Sequence, residues 1–133
     1  MKKGVLIIII VVVVIAIGIF SSLMICNTAE MKRVRAMPIN EVDLSSISDG
    51  IYIGDYSYGG FTYEVEVMVK DHKIENIKVL KNRNTSHAKK AEGVIEKILQ
   101  AQSLKVDAVS GATTTSKALL KAIDNALATK PQQ

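Results

Sequence analysis

The sequence predicts an α+β fold: one N-terminal transmembrane helix, followed by a small domain with an antiparallel meander and two packing helices. Three features carry that expectation. An uncharged, Ile- and Val-rich run covers residues 4–26, strict two-residue alternation marks the middle of the chain, and a three-and-four-residue repeat recurs towards the C-terminus. With 133 residues there is room for one domain beside the apolar run. The expected layout is a short flank at 1–3, the anchor at 4–26, a juxtamembrane stalk at 27–48, the domain at 49–129 and a tail at 130–133.

The anchor comes first. A helix from Gly4 to Cys26 would be roughly 35 Å long at ~1.5 Å per residue, against the ~30 Å hydrocarbon core of a bilayer. A cleavable signal usually has an apolar region of about 7 to 15 residues, shorter than this run. An uncleaved, single-pass anchor in contact with lipid is therefore preferred over a signal cut after Ala29 and over a lipoprotein signal ending at Cys26. Its orientation is balanced, because Lys2 and Lys3 stand on one side and Lys32, Arg33 and Arg35 on the other.

Residues 27–48 hold Pro38, several serines and no sustained period, which reads as a stalk. "DGIYIGDYS" alternates around Ile51 and Ile53, and "FTYEVEVMV" alternates most clearly, with Phe61, Tyr63, Val65, Val67 and Val69 on one face. "SYGG" and "KDHK" are turns, so "KIENIKVL" closes the meander as a third strand. From Ala88 the period lengthens, with Ala91, Val94, Ile95, Ile98 and Leu99 on one side of an amphipathic helix. A last helix is expected from about Ser116 to Ala128, with Leu119, Leu120, Ile123, Ala126 and Leu127 facing inward.

The net charge of +4 does not mark a nucleic-acid binder. Five basic residues flank the apolar run, and from Pro38 onward 12 basic residues meet 12 acidic ones, so the domain lacks the excess that displaces phosphate counterions. A single cysteine, Cys26, forms no internal disulfide and no thiolate cage. No cluster of metal ligands and no paired catalytic side chains stand out.

The stretch "DAVSGATTTSK", residues 107–117, places Asp107, Ser110, Gly111, Ala112, Thr113 and further hydroxyls before the last helix. Unpaired amides and the positive end of the helix dipole suit a phosphate there, while ordinary N-capping by Thr114, Thr115 or Ser116 is the plainer reading. It has neither the lysine of a P-loop nor the spaced glycines of a dinucleotide site.

Residues 107–117 and the opening "DGIYIGDY…GGFTYEVEVMVKDHKIENIKVL" resemble the FMN-binding domain family, found also in the flavin subunits of the sodium-pumping quinone reductase and Rnf complexes. The family pattern is Asp, two variable positions, Ser or Thr, Gly, Ala, then Thr or Ser, and here it reads Asp107 to Thr113 without a mismatch. The resemblance implies FMN joined to Thr113 through its phosphate by a separate Mg-dependent flavin transferase, with Asp107 and Ser110 orienting the hydroxyl, small Gly111 and Ala112 leaving access, and Thr114, Thr115 and Ser116 as caps or spare phosphate donors. It also implies a domain working outside the cytoplasm, which settles the anchor as N-in, and electron exchange with a membrane redox partner. The alternative is a regulatory module that holds FMN without a covalent link. For the flavin ring, Tyr56 and Tyr58 near Gly59 and Gly60 are the expected contacts, with Phe61 and Tyr63 assigned to the core. Many relatives carry a glycine-rich loop after the third strand where this chain has "NTSHAKKAEG", so either His87 and Lys89 take its place or the ring is more exposed.

Overall fold

The computed structural model describes residues 1–131, without the side chains of Cys26 and Asn27. The Cys26 thiol considered above as a lipoprotein cysteine and the tail residues Gln132 and Gln133 therefore lie outside the described residues. The chain divides into two units, Met1–Arg33 and Val34–Gln133.

The first unit is almost wholly one helix, α1, which spans Lys2–Ala36 and so ends three residues inside the second unit. It is long and apolar enough to cross a membrane, and its side chains from Val5 to Ile17 are about half exposed or more. Helix continues past residue 26 because "TAEMKRVRA" contains good helix formers and no breaker before Pro38.

In the second unit, strands β1 (Gly50–Tyr58), β2 (Phe61–Lys70) and β3 (Lys73–Lys81) form an antiparallel meander in the order β1-β2-β3. β1 and β2 pair without a break from Gly50 opposite Val69 to Tyr58 opposite Phe61. The β2–β3 ladder slips at Glu64/Val65 and at Met68/Val69. The expected alternation holds along β2, where Tyr63, Val65, Val67 and Val69 are buried. Phe61 departs from it: at the strand's first position it is 50% exposed, with the Arg83 guanidinium over its ring.

Three helices pack in this unit rather than two. Where one amphipathic helix is expected from Ala88 onward, the chain forms α2 (Ser86–Ala91) and α3 (Gly93–Ala101), broken at Glu92. Thr85 caps α2 by accepting from the Ala88 amide. The Asn82 amide donates to the Ala88 carbonyl and to Glu92 at 3.0 and 2.8 Å, which holds the break, and Gly93 weakens helical continuity beside Val109. The last helix, α4 (Thr113–Leu127), starts three residues earlier than expected and lies on β1 and β2. Gly54 sets how close it comes. A Cβ there would stand 2.3 Å from the Ala126 nitrogen and 2.4 Å from the Ala122 carbonyl oxygen, so helix backbone rests on strand backbone.

The compact unit begins at Val34, ahead of the composition-based boundary at Asp49. Val34 is buried, Arg35 Nε donates to Thr114 Oγ1 at 2.7 Å, and the Asn40 amide donates to buried Asp124 at 3.2 Å. Ile47 is buried as well, next to a short 3₁₀ turn at Leu44–Ser46.

Candidate functional site

The turn before α4 is built by backbone and one serine. The Ala112 amide donates to the Val109 carbonyl at 2.9 Å, and Gly111 takes φ +78°, a left-handed conformation that glycine adopts without strain. Ser116 is fully buried; its Oγ donates to the Ala112 carbonyl at 2.9 Å and accepts from the Val109 amide at 3.1 Å. It ties the turn to the helix from below and so is unavailable as a cap or a phosphate donor. The N-cap is Ala112, which offers no side-chain hydrogen bond, and no acid occupies the first turn of α4.

The three threonines that follow separate by environment. Thr114 is 8% exposed and its hydroxyl accepts from Arg35. Thr115 is half-buried and faces the Tyr63 hydroxyl. Thr113, the first helical residue, is half-buried, and no hydrogen bond among the described residues engages its hydroxyl. Asp107 and Ser110 are both exposed, and neither side chain is bonded to Thr113; the Asp107 carbonyl instead accepts from Lys97 Nζ at 3.0 Å. An open groove of about 500 Å³ passes Asp107 between Lys97 and Lys105, and no aromatic residue lines it.

Positive charge gathers at the turn. Lys90 of α2 brings its Nζ to 3.5 Å from where a Gly111 Cβ would stand, and Arg35 arrives at Thr114 from the end of α1. Cations at a helix N-terminus oppose the dipole, so such an arrangement favours an anion at the same place. Sequence pattern gave no sign of either residue, since both are remote from residues 107–117 along the chain. His87 and Lys89 are exposed on α2.

An aromatic cluster lies beside the same helical turn. Tyr58 and Tyr63 are buried and stack with centroids 5.4 Å apart and planes 7° apart, and Tyr56 is tilted against Tyr58 at 6.4 Å. Tyr58 is thus a core-facing ring, only 6% exposed. Arg83 lies over Phe61, with its guanidinium carbon 4.1 Å from that ring's centroid. Burial above all, and the neighbouring Tyr58 hydroxyl, push the Tyr63 phenol far above the usual range, while Arg83 and Thr115 pull weakly the other way. Tyr58 and Thr115 approach the Tyr63 hydroxyl without reaching hydrogen-bond geometry, so it is left unpartnered, as is Arg83 Nε.

A meander whose covering helix opens on a left-handed glycine turn, a threonine hydroxyl without a partner, two adjacent cations and an aromatic cluster with orphaned polar atoms defines a module for a phosphorylated, ring-bearing cofactor. The residues suit FMN in particular, since phosphate and ring need different surroundings and the turn and the cluster supply both. Comparison with known families agrees: the FMN-binding domain matches residues 58–128, more than half of the 133-residue chain. The protein belongs to that family, and its cofactor is FMN. No curated protein matches the chain.

Proposed function

We propose that the protein is a membrane-anchored flavoprotein in which Thr113 carries FMN through a phosphoester, and that it passes electrons between a membrane redox partner and an acceptor outside the cytoplasm. The observation that carries this reading is the contrast among neighbouring hydroxyls: those of Thr114 and Ser116 are committed to Arg35 and to the turn, that of Thr115 faces the aromatic cluster, and that of Thr113 stands uncommitted next to the turn. Thr113 is also the first residue of α4, where helix amides have no intrahelical partner.

When bound, FMN supplies the redox chemistry. The chain supplies the mounting. Attachment forms a bond between Thr113 Oγ1 and the FMN-side phosphorus of FAD and breaks the pyrophosphate. AMP leaves, and the hydroxyl proton is released. Gly111 gives the flavin transferase access without a side chain in the way, Lys90 and the helix start offset the phosphate charge, and Arg35 fixes the first helical turn through Thr114. An anchor at 2–36 keeps the domain at the membrane surface, where confinement raises the effective concentration of a membrane partner.

Intact mass of the full chain produced with a flavin transferase tests the reading. An adduct of FMN less one water is expected, and Thr113→Ala abolishes it. Retention of the adduct in that variant would overturn the proposal, and reversible flavin binding with no adduct would replace it with a module that holds FMN without a covalent link.

A further inference from the structure

Arg83 sits in the loop between β3 and α2, half-buried, at the end of the sheet where β1 turns into β2. Its guanidinium carbon is 4.1 Å from the Phe61 centroid, 4.9 Å from Tyr58 and 5.9 Å from Tyr63. The Gly59 turn closes over it, since a Cβ there would meet its terminal nitrogen at 3.2 Å. Ring faces attract the charge without neutralising it. Within residues 34–131 no carboxylate comes into salt-bridge range of Arg83; the bridges there join Lys81 to Glu64, Lys105 to Glu41 and Lys121 to Asp124. Tyr63 is no counter-ion either, because burial keeps its phenol protonated.

Removing a cation from water without an opposite charge is expensive. Here the buried part is Nε, which has no hydrogen-bond partner. The cluster also meets the helix that carries the mounting: Tyr63 faces Thr115 in the first turn of α4, the turn that Thr113 opens, and Phe61 leaves the cluster open to solvent at 50% exposure. A flavin ring tethered at Thr113 and laid against this cluster would meet a cation whose Nε the polypeptide leaves without a partner.

We infer that Arg83 is the counter-charge for the reduced, anionic form of the FMN ring, a positioning residue that raises the tendency of the bound flavin to accept electrons. The inference rests on the proposed tether at Thr113. Reduction by an external donor, dithionite in the assay, delivers two electrons, and one proton is taken up at N5; the remaining negative charge spreads over N1 and the adjacent carbonyl oxygen. A guanidinium nearby favours that anion over the neutral oxidised ring, and it lowers the pH at which the reduced ring would take a second proton.

The test is a dithionite titration of the flavin-loaded full chain in detergent against a reference dye. Arg83→Gln keeps a planar polar group on Phe61 but loses the charge. Its equilibrium constant for flavin reduction falls about tenfold or more, as expected for one charge pair across a partly screened gap, and Arg83→Lys brings it back to within about threefold of the parent. A merely structural role leaves this ratio unchanged while lowering the melting temperature, and an unchanged ratio in a flavin-bearing Arg83→Gln protein overturns the inference. Proton uptake by the unsubstituted protein provides a measurement that no folding defect obscures: at about pH 6 one proton per two electrons supports the charge pair, and two protons overturn it. A parent chain that carries no flavin at all refutes the tether itself, and the role of Arg83 falls with it.

Discussion

At the scale of single residues, Gly54 and Gly111 are both indispensable, for different reasons. Gly111 has open space around it, with Lys90 Nζ at 3.5 Å the nearest atom to an added Cβ, so Gly111→Ala meets no clash. Its φ of +78° is the obstacle, and the substitution should cost about 1–2 kcal/mol and shift the turn on which the proposed flavin attachment depends. Gly54 is the reverse case. An added Cβ would strike backbone atoms of α4 at 2.3 and 2.4 Å, and backbone cannot rotate aside, so Gly54→Ala should destabilise the domain by about 3 kcal/mol or more in urea unfolding. Ile98→Ala empties a fully buried site and should cost about 2–5 kcal/mol by the same measurement. Neither glycine's demand was visible as composition. The motif surrounding Gly111 marked it for a ligand, but Gly54 reads as one more small residue in an alternating strand, and only the packed helix shows what it permits.

At the scale of elements, sequence reading worked where one pattern acted over many residues. The β2 alternation and the inward face of α4 follow from period alone, and both were legible. The break at Glu92 was not, because it depends on Asn82 reaching across from another segment to the Ala88 carbonyl and the Glu92 carboxylate. The site divided in the same way. Thr113 and Gly111 stand in the sequence motif, whereas Arg35 and Lys90 reach the α4 start only through the fold, and the burial of Tyr58 in its stack with Tyr63 is a cross-strand effect that alternation along one strand does not reveal. The segment leading into β1 gives a pH prediction. Asp43 accepts from the Ser45 hydroxyl at 2.6 Å and from its amide at 3.0 Å, and these bonds hold its carboxyl below the usual range, the hydroxyl contributing most. A lowered native pKa means that the stabilisation is present above the unfolded pKa and disappears as pH falls through the native one. Ser45→Ala should therefore lower the melting temperature at neutral pH, with the difference from the parent vanishing in acid.

At the scale of the whole molecule, each unit makes its own demand. Helix α1 is long and apolar enough to cross a membrane, and as the proposed anchor it should keep the full chain with the membrane fraction through a high-salt wash that strips peripheral proteins. Loss into the wash would contradict an integral anchor. The proposed N-in orientation predicts that protease added to intact spheroplasts removes the domain, whereas an N-out chain would be protected. The other unit places its candidate tether on the helix that Gly54 seats directly on the sheet. With carbonyl and amide of α4 in contact with strand backbone, that helix has no cushion of side chains on which to rock or slide. Electron tunnelling rates fall steeply with distance and with the rearrangement each transfer provokes in the surroundings. If the proposed tether holds, a prosthetic group hung from so stiff a bracket would keep both quantities nearly constant from one transfer to the next, leaving the pace of the proposed relay to how often its partners collide.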